Sequence, residues 1–343
     1  MRLKYSHQQF SLIISTILFI ILFTLHLAIG KVQIPWFDSL QILLTGESSQ
    51  PGWRSIIWQF RLPKAIAASL SGAALAVSGL QLQTLFQNPL AGPFTLGISS
   101  GASLGVAIVV LAADSIQIAN LAQLGSWATV IASCIGSFAV TAIVLLAAQR
   151  VRNGTALLIL GLMFGYGTGA MVNILLQVSS AQQVQQFVTW TFGSFGGVTW
   201  AQLPVMSGGL AIGLILATVL TTQLNSMILG ETQALTLGIS IQKVRFGVLL
   251  SASLLAGVVT AFCGPIAFLG VAVPHFARGL FRTADLRWLL PGVVILGAVL
   301  ALIADLISQL LVPRSVLPLN SVTALIGTPL ITWVILHQSK SKN

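Results

Sequence analysis

Charge is what this chain is short of. Only 6% of its 343 residues are Asp, Glu, Lys or Arg, where a soluble domain carries roughly 25%. So few charges cannot cover a folded chain with water-compatible side chains, which excludes an ordinary soluble protein. Acids are the scarcest, six in all, too few for a chain of proton carriers. The two cysteines, Cys134 and Cys263, both sit in apolar runs, where a thiol acts as a small hydrophobe. No disulfide is expected of them, and they say nothing about redox compartment. No GxxxxGK[ST] string occurs, so ATP hydrolysis by a P-loop is excluded for this chain. There is no HExxH, and the four histidines are far apart. Zinc chemistry needs clustered ligands, so no metal site is expected, and no cluster of polar catalytic residues lies in the apolar runs.

What is present is hydrophobicity. Apolar residues make up 56% of the chain and the mean hydropathy is +0.96. Repeated apolar stretches of about 20 residues read as transmembrane helices. The fold class is all-α, a polytopic membrane protein forming one transmembrane domain over residues 1–343. Spans are expected at about 10–30, 63–85, 93–112, 121–148, 155–178, 200–223, 243–263, 265–281, 289–311 and 319–337, ten helices in all. Residues 31–60 read as an outside loop with interfacial tryptophans, and 224–241 is too polar to cross.

The net charge of +10 forms no basic face, so no nucleic-acid partner is expected. It follows the positive-inside rule instead. With the amino terminus inside, 11 of the 16 cations fall on the inner side, among them Arg2, Lys4, Arg150, Arg278 and Lys340. Five fall outside: Lys31, Arg54, Arg61, Lys64 and Arg314. Both termini are therefore expected in the cytoplasm.

Small residues describe how the spans meet. Gly97, Gly101 and Gly105 recur every four residues, as do Gly161, Gly165 and Gly169. That spacing puts each set on one helix face, where backbones can approach closely. Close packing and a smooth transport path both fit, and the spacing does not separate them. Asp305, near the middle of a span, is a functional candidate because a carboxylate there is costly. A helix-packing role fits it equally, since one acid without a second intramembrane charge makes a poor ion-coupling device.

Residues 61–102, RLPKAIAASLSGAALAVSGLQLQTLFQNPLAGPFTLGISSGA, look like two spans folded back to back around a polar turn at Asn88–Pro89. The proline removes an amide donor and biases Asn88 away from helix. This string resembles the signature of the FecCD-type permeases, the membrane subunits of type II ABC importers for iron–siderophores, haem and cobalamin. Three more strings match in family order: LGETQALTLGIS (229–240), CGPIAFLGVAVPHFARGLFRTADLRWLLP (263–291) and ADLISQL…TALIGTP (304–329).

The resemblance implies ten helices per subunit and pairing with a second permease subunit, identical or homologous. It also implies two ATP-binding cassette ATPase subunits below and an extracytoplasmic solute-binding protein above. No cofactor belongs to this chain, since ATP and Mg are used by the ATPase partner. The cargo expected is a ferric siderophore, with cobalamin or haem open, and the location is the bacterial inner membrane. By similarity, Asn88, Pro89 and Leu90 form an inner gate. Gly230, Glu231, Ala234, Leu237 and Gly238 belong to an ATPase-coupling helix, while Arg61, Lys64 and Arg314 dock the acidic lobes of the binding protein. Gly161, Gly165, Gly169 and Asp305 are path or packing residues. The chain departs from the family pattern at Gly92, where NPLADP would have an acid, at Gln309, where relatives can carry arginine, and at Val316 and Asn320. An ion-coupled secondary transporter using Asp305 is the alternative of another class.

Overall fold

The structure is a computed structural model that describes residues 2–48, 50, 52–112, 125–151, 154–311 and 316–340. Among these residues it contains only helices and their connections. In order they are α1 (Arg2–Ala28), α2 (Trp36–Thr45), α3 (Trp53–Leu85), α4 (Ile98–Leu111), α5 (Ser126–Arg150), α6 (Gly154–Val178) and α7 (Ala181–Thr191). Then come α8 (Leu203–Val219), α9 (Thr221–Ile228), α10 (Glu231–Thr236), α11 (Ile241–Cys263), α12 (Leu269–Phe281), α13 (Leu286–Leu310) and α14 (Leu319–Lys340). Six are long and apolar enough to cross a membrane: α1, α3, α5, α6, α11 and α13. The pair α8–α9, bent by 50°, makes a seventh if counted as one span. With α4, α12 and α14, each of the ten segments expected from the sequence contains a helix.

Helix α3 is the hub. It packs against α13, α11, α12 and α8, and every residue from Ser71 to Leu85 is buried. Its sequence of Ala, Ser and Gly gives little side-chain bulk, as a helix enclosed by others requires where lipid supplies no hydrophobic drive. Two of its glycines are contact points. A Cβ on Gly72 would overlap the carbonyl of Gly297 in α13, and one on Gly79 would overlap that of Gly270 in α12. Gly105 and Gly136 bring α4 against α5 in the same way. Hydroxyls add fixed ties: Ser78 donates to the Ala252 carbonyl at 3.0 Å and Ser251 to Gln81 Oε1 at 3.0 Å.

Near its start, after Trp53–Ser55, helix α3 is wound as a π-helix over Ile56–Arg61, a widening common at functional sites. It ends in a Schellman motif. The Asn88 amide donates to the Gln83 carbonyl and the Gln87 amide to that of Thr84, while Gln87 takes φ +47°. This left-handed position usually belongs to glycine.

The expected span from 265 starts four residues later, because residues 264–268 break between α11 and α12. Phe268 sits at φ +67°, and Asn320 Oδ1 accepts from the Ala267 amide at 3.1 Å. The departure at Asn320 thus has a structural use: its side chain fixes the break.

Candidate functional site

Two polar constellations lie at opposite ends of the bundle. The last turn of α1, the first turns of α3 after its π segment and the last turns of α13 meet at one end, the one expected outside. There Asp305 is 3% exposed and His26 1% exposed. Oδ2 of Asp305 accepts from His26 Nε2 at 2.6 Å, Gln309 Nε2 at 2.7 Å and Lys64 Nζ at 2.9 Å. His26 Nδ1 has no partner among the described residues. The carboxylate is thus enclosed by donors from three helices, which is the arrangement of a packing tie. Gln309, where relatives can carry arginine, is one of those donors.

The same end shows what holds the two described cations expected to dock a binding protein. Arg61 is buried, with Nη1 donating to the carbonyls of Leu27 at 2.7 Å and Ala28 at 2.8 Å, and Nη2 to that of Val32. A guanidinium has five donors in a fixed fork, and here it closes the C-terminus of α1. Gly30 leaves the room it needs. Lys64 turns inward to Asp305, its side chain 17% exposed. Neither is presented as a free surface cation, because unpaired carbonyls and a buried carboxylate compete for them first. Arg314 lies outside the described residues.

At the opposite end, α1 starts beside the end of α12, with His7 Nε2 3.2 Å from the Leu280 carbonyl. The turn after α3 lies here. Asn88 Oδ1 accepts from the Leu90 amide at 2.9 Å, so asparagine shapes the turn that the family resemblance suggests as a gate. Pro89 offers its carbonyl to His275 Nε2 at 2.9 Å. Leu90 is 45% exposed and borders an apolar cavity of about 360 Å3 with Pro93, Phe94, Ile266 and Phe268. Gln87 Nε2 donates to the Met227 carbonyl at 2.9 Å, near the end of α9. Gln83 accepts from Arg278 Nη1 at 2.6 Å and donates to the Val271 carbonyl at 3.1 Å.

The expected coupling segment follows directly. Gly230 at φ +109° and Gly238 at φ +78° bound α10, as their positions in the sequence suggest. Ala234 is fully buried, whereas Leu235 and Leu237 are exposed. Glu231 pairs with Arg245 at 3.3 Å, tying α10 to the first turns of α11. Asn225 anchors α9 to the start of α13, donating to Asp285 Oδ1 at 2.7 Å and accepting from the Leu286 amide at 2.9 Å.

The glycines of α6 do not act alike. A Cβ on Gly161 would press on the Thr95 carbonyl at 2.6 Å, one on Gly165 would stand 3.3 Å from Ser100 Oγ, and one on Gly169 would meet nothing within 4 Å. Gly161 is a contact point inside the subunit and Gly169 faces open space. Sequence reasoning missed Gln87 and His26. Nothing local to His275 pointed to the turn 186 residues away.

Comparison with known proteins adds the following. The FecCD transport family model matches residues 18–337. The haemin transport system permease protein HmuU of Yersinia pestis is 34% identical over 328 residues, covering 95% of this chain and 96% of its own length. The vitamin B12 import system permease protein BtuC of Salmonella typhi is 35% identical over 284 residues, covering 83% and 84%. Among solved structures, an inward-facing metal-chelate type ABC transporter superposes with a TM-score of 0.82 at 26% identity, over 95% of this chain and 98% of that one.

Proposed function

The chain belongs to the FecCD transport family, as a permease subunit of a type II ABC importer, and from that membership we propose that it imports a ferric siderophore across the bacterial inner membrane. Family members work with ATPase and binding-protein partners. The haem and vitamin B12 permeases among its relatives make those two chelates the alternatives within the same machine. The apolar cavity beside Leu90 supports a bulky cargo passed with few polar contacts. In this reading both termini are cytoplasmic, a second permease subunit completes the path, and ATP and Mg are used by separate ATPase subunits.

The observation that carries the mechanism is the layout of the inner end. The gate turn at Asn88–Leu90 and the coupling segment at Gly230–Gly238 lie on adjoining elements joined by a hydrogen bond. Exposed Leu235 and Leu237 suit a cleft on an ATPase, whose closure would move α10 as a rigid body. An ion-coupled transporter using Asp305 fits less well, because three donors already fill the acceptor side of its Oδ2.

The test is ATPase stimulation in the assembled complex with its ATPase and binding protein. Stimulation by the binding protein loaded with a ferric siderophore is expected. Stimulation by haemin or cyanocobalamin alone moves the cargo, and none by any chelate rejects the proposal.

A further inference from the structure

We infer that Gln87 is a positioning residue that transmits movement of the coupling segment to the inner gate. This rests on the importer reading above and adds the residue through which it works. Three observations meet at Gln87. It sits at φ +47°, the left-handed position that closes a Schellman motif, where glycine carries no steric cost and other residues do. Its side chain spans to another element, donating from Nε2 to the Met227 carbonyl at 2.9 Å. That carbonyl also accepts from the Gly230 amide at 3.1 Å, and Gly230 opens the coupling segment.

One oxygen is therefore shared by the first residue of the coupling segment and the residue preceding the gate turn. A displacement at Gly230 that pulls on the Met227 carbonyl pulls on Gln87, and Gln87 adjoins Asn88. The second tether of the turn, His275 Nε2 to the Pro89 carbonyl, comes from α12 and gives the turn a fixed side to pivot against. Glutamine is poorer than glycine for the backbone and better for the link. The structure thus places a side chain that reaches Met227 where local geometry would favour none.

This separates a linking role from a structural one. Gln87→Gly suits the left-handed position, so the turn and the assembled complex should survive, while the tie to Met227 is lost. Gln87→Arg keeps a long donor. The assay is reconstitution of the permease with its ATPase and binding protein in proteoliposomes. Uptake of a ferric siderophore, haemin or cyanocobalamin is measured together with ATP hydrolysis, using whichever probe the wild type carries. For Gln87→Gly, ATP hydrolysis is expected to continue while cargo per ATP falls about tenfold, the coupling worth of one hydrogen bond. Gln87→Arg should recover most of it. Wild-type cargo per ATP in Gln87→Gly overturns the inference and leaves the importer reading standing. Loss of uptake and hydrolysis together, or loss of assembly, also overturns it, because the residue would then hold structure. A wild type that takes up no probe under ATP overturns the importer reading and this inference with it.

Discussion

Replacing Asp305 by Asn keeps the shape of the side chain and removes its charge. Lys64 Nζ, 2.9 Å from Oδ2, then faces a neutral amide inside the protein. At an effective dielectric of about 20, attraction over that distance comes to about 6 kcal/mol before desolvation is counted. Measured losses on breaking a buried pair from one side are about 3–5 kcal/mol. His26, with a second ring nitrogen that has no partner among the described residues, adds to the loss when its acceptor weakens. The thermal unfolding midpoint of the purified protein in one detergent should fall by roughly 5 °C for a loss of that order. Lys64→Met should cost a similar amount, because it leaves the carboxylate buried without its cation. The double variant Lys64→Met/Asp305→Asn is the decisive one: it should be clearly more stable than the two separate losses added together. Additivity within about 0.5 kcal/mol would show that the two residues do not interact and refute the tie between α3 and α13.

The other predictions are of the same kind. Gly161→Ala should destabilise by about 1–3 kcal/mol, because its Cβ meets the Thr95 carbonyl, while Gly169→Ala should leave the unfolding midpoint level or raise it. Gly79→Val should yield no folded protein in membranes, since the α3 and α12 backbones touch there, and fluorescence-detected size exclusion reads this directly. Arg61→Lys should destabilise although the charge is kept, because one ammonium cannot span three carbonyls held by a fork. Leu237→Asp, on an exposed position, should weaken co-purification with the ATPase and leave the unfolding midpoint unchanged.

The helices were legible because hydropathy is a property of each stretch by itself. Every expected span holds a helix, and the glycines bounding α10 marked its ends in advance. The turn at Asn88–Pro89 was legible too, since that pair sets local geometry. What could not be read was how polar side chains choose partners across the bundle. Arg61 and Lys64, at the outer end of their span, were expected by resemblance to the family to dock a binding protein. Here the C-terminus of α1 presents open carbonyls to one, and α13 presents a carboxylate to the other. Both partners are distant in sequence, at Leu27–Val32 and Asp305. Gln87 was passed over for the same reason. A glutamine beside an asparagine–proline turn looks like any polar turn residue until Met227 is placed next to it.

The measurement that bears most directly on the central claim is uptake into proteoliposomes holding this chain with its ATPase. Binding protein and a labelled chelate are supplied outside, and ATP is enclosed or omitted. The account predicts accumulation of one metal chelate that needs both enclosed ATP and binding protein and is indifferent to sodium or proton gradients. Accumulation without ATP, driven by an ion gradient and abolished by Asp305→Asn in a folded variant, would contradict it.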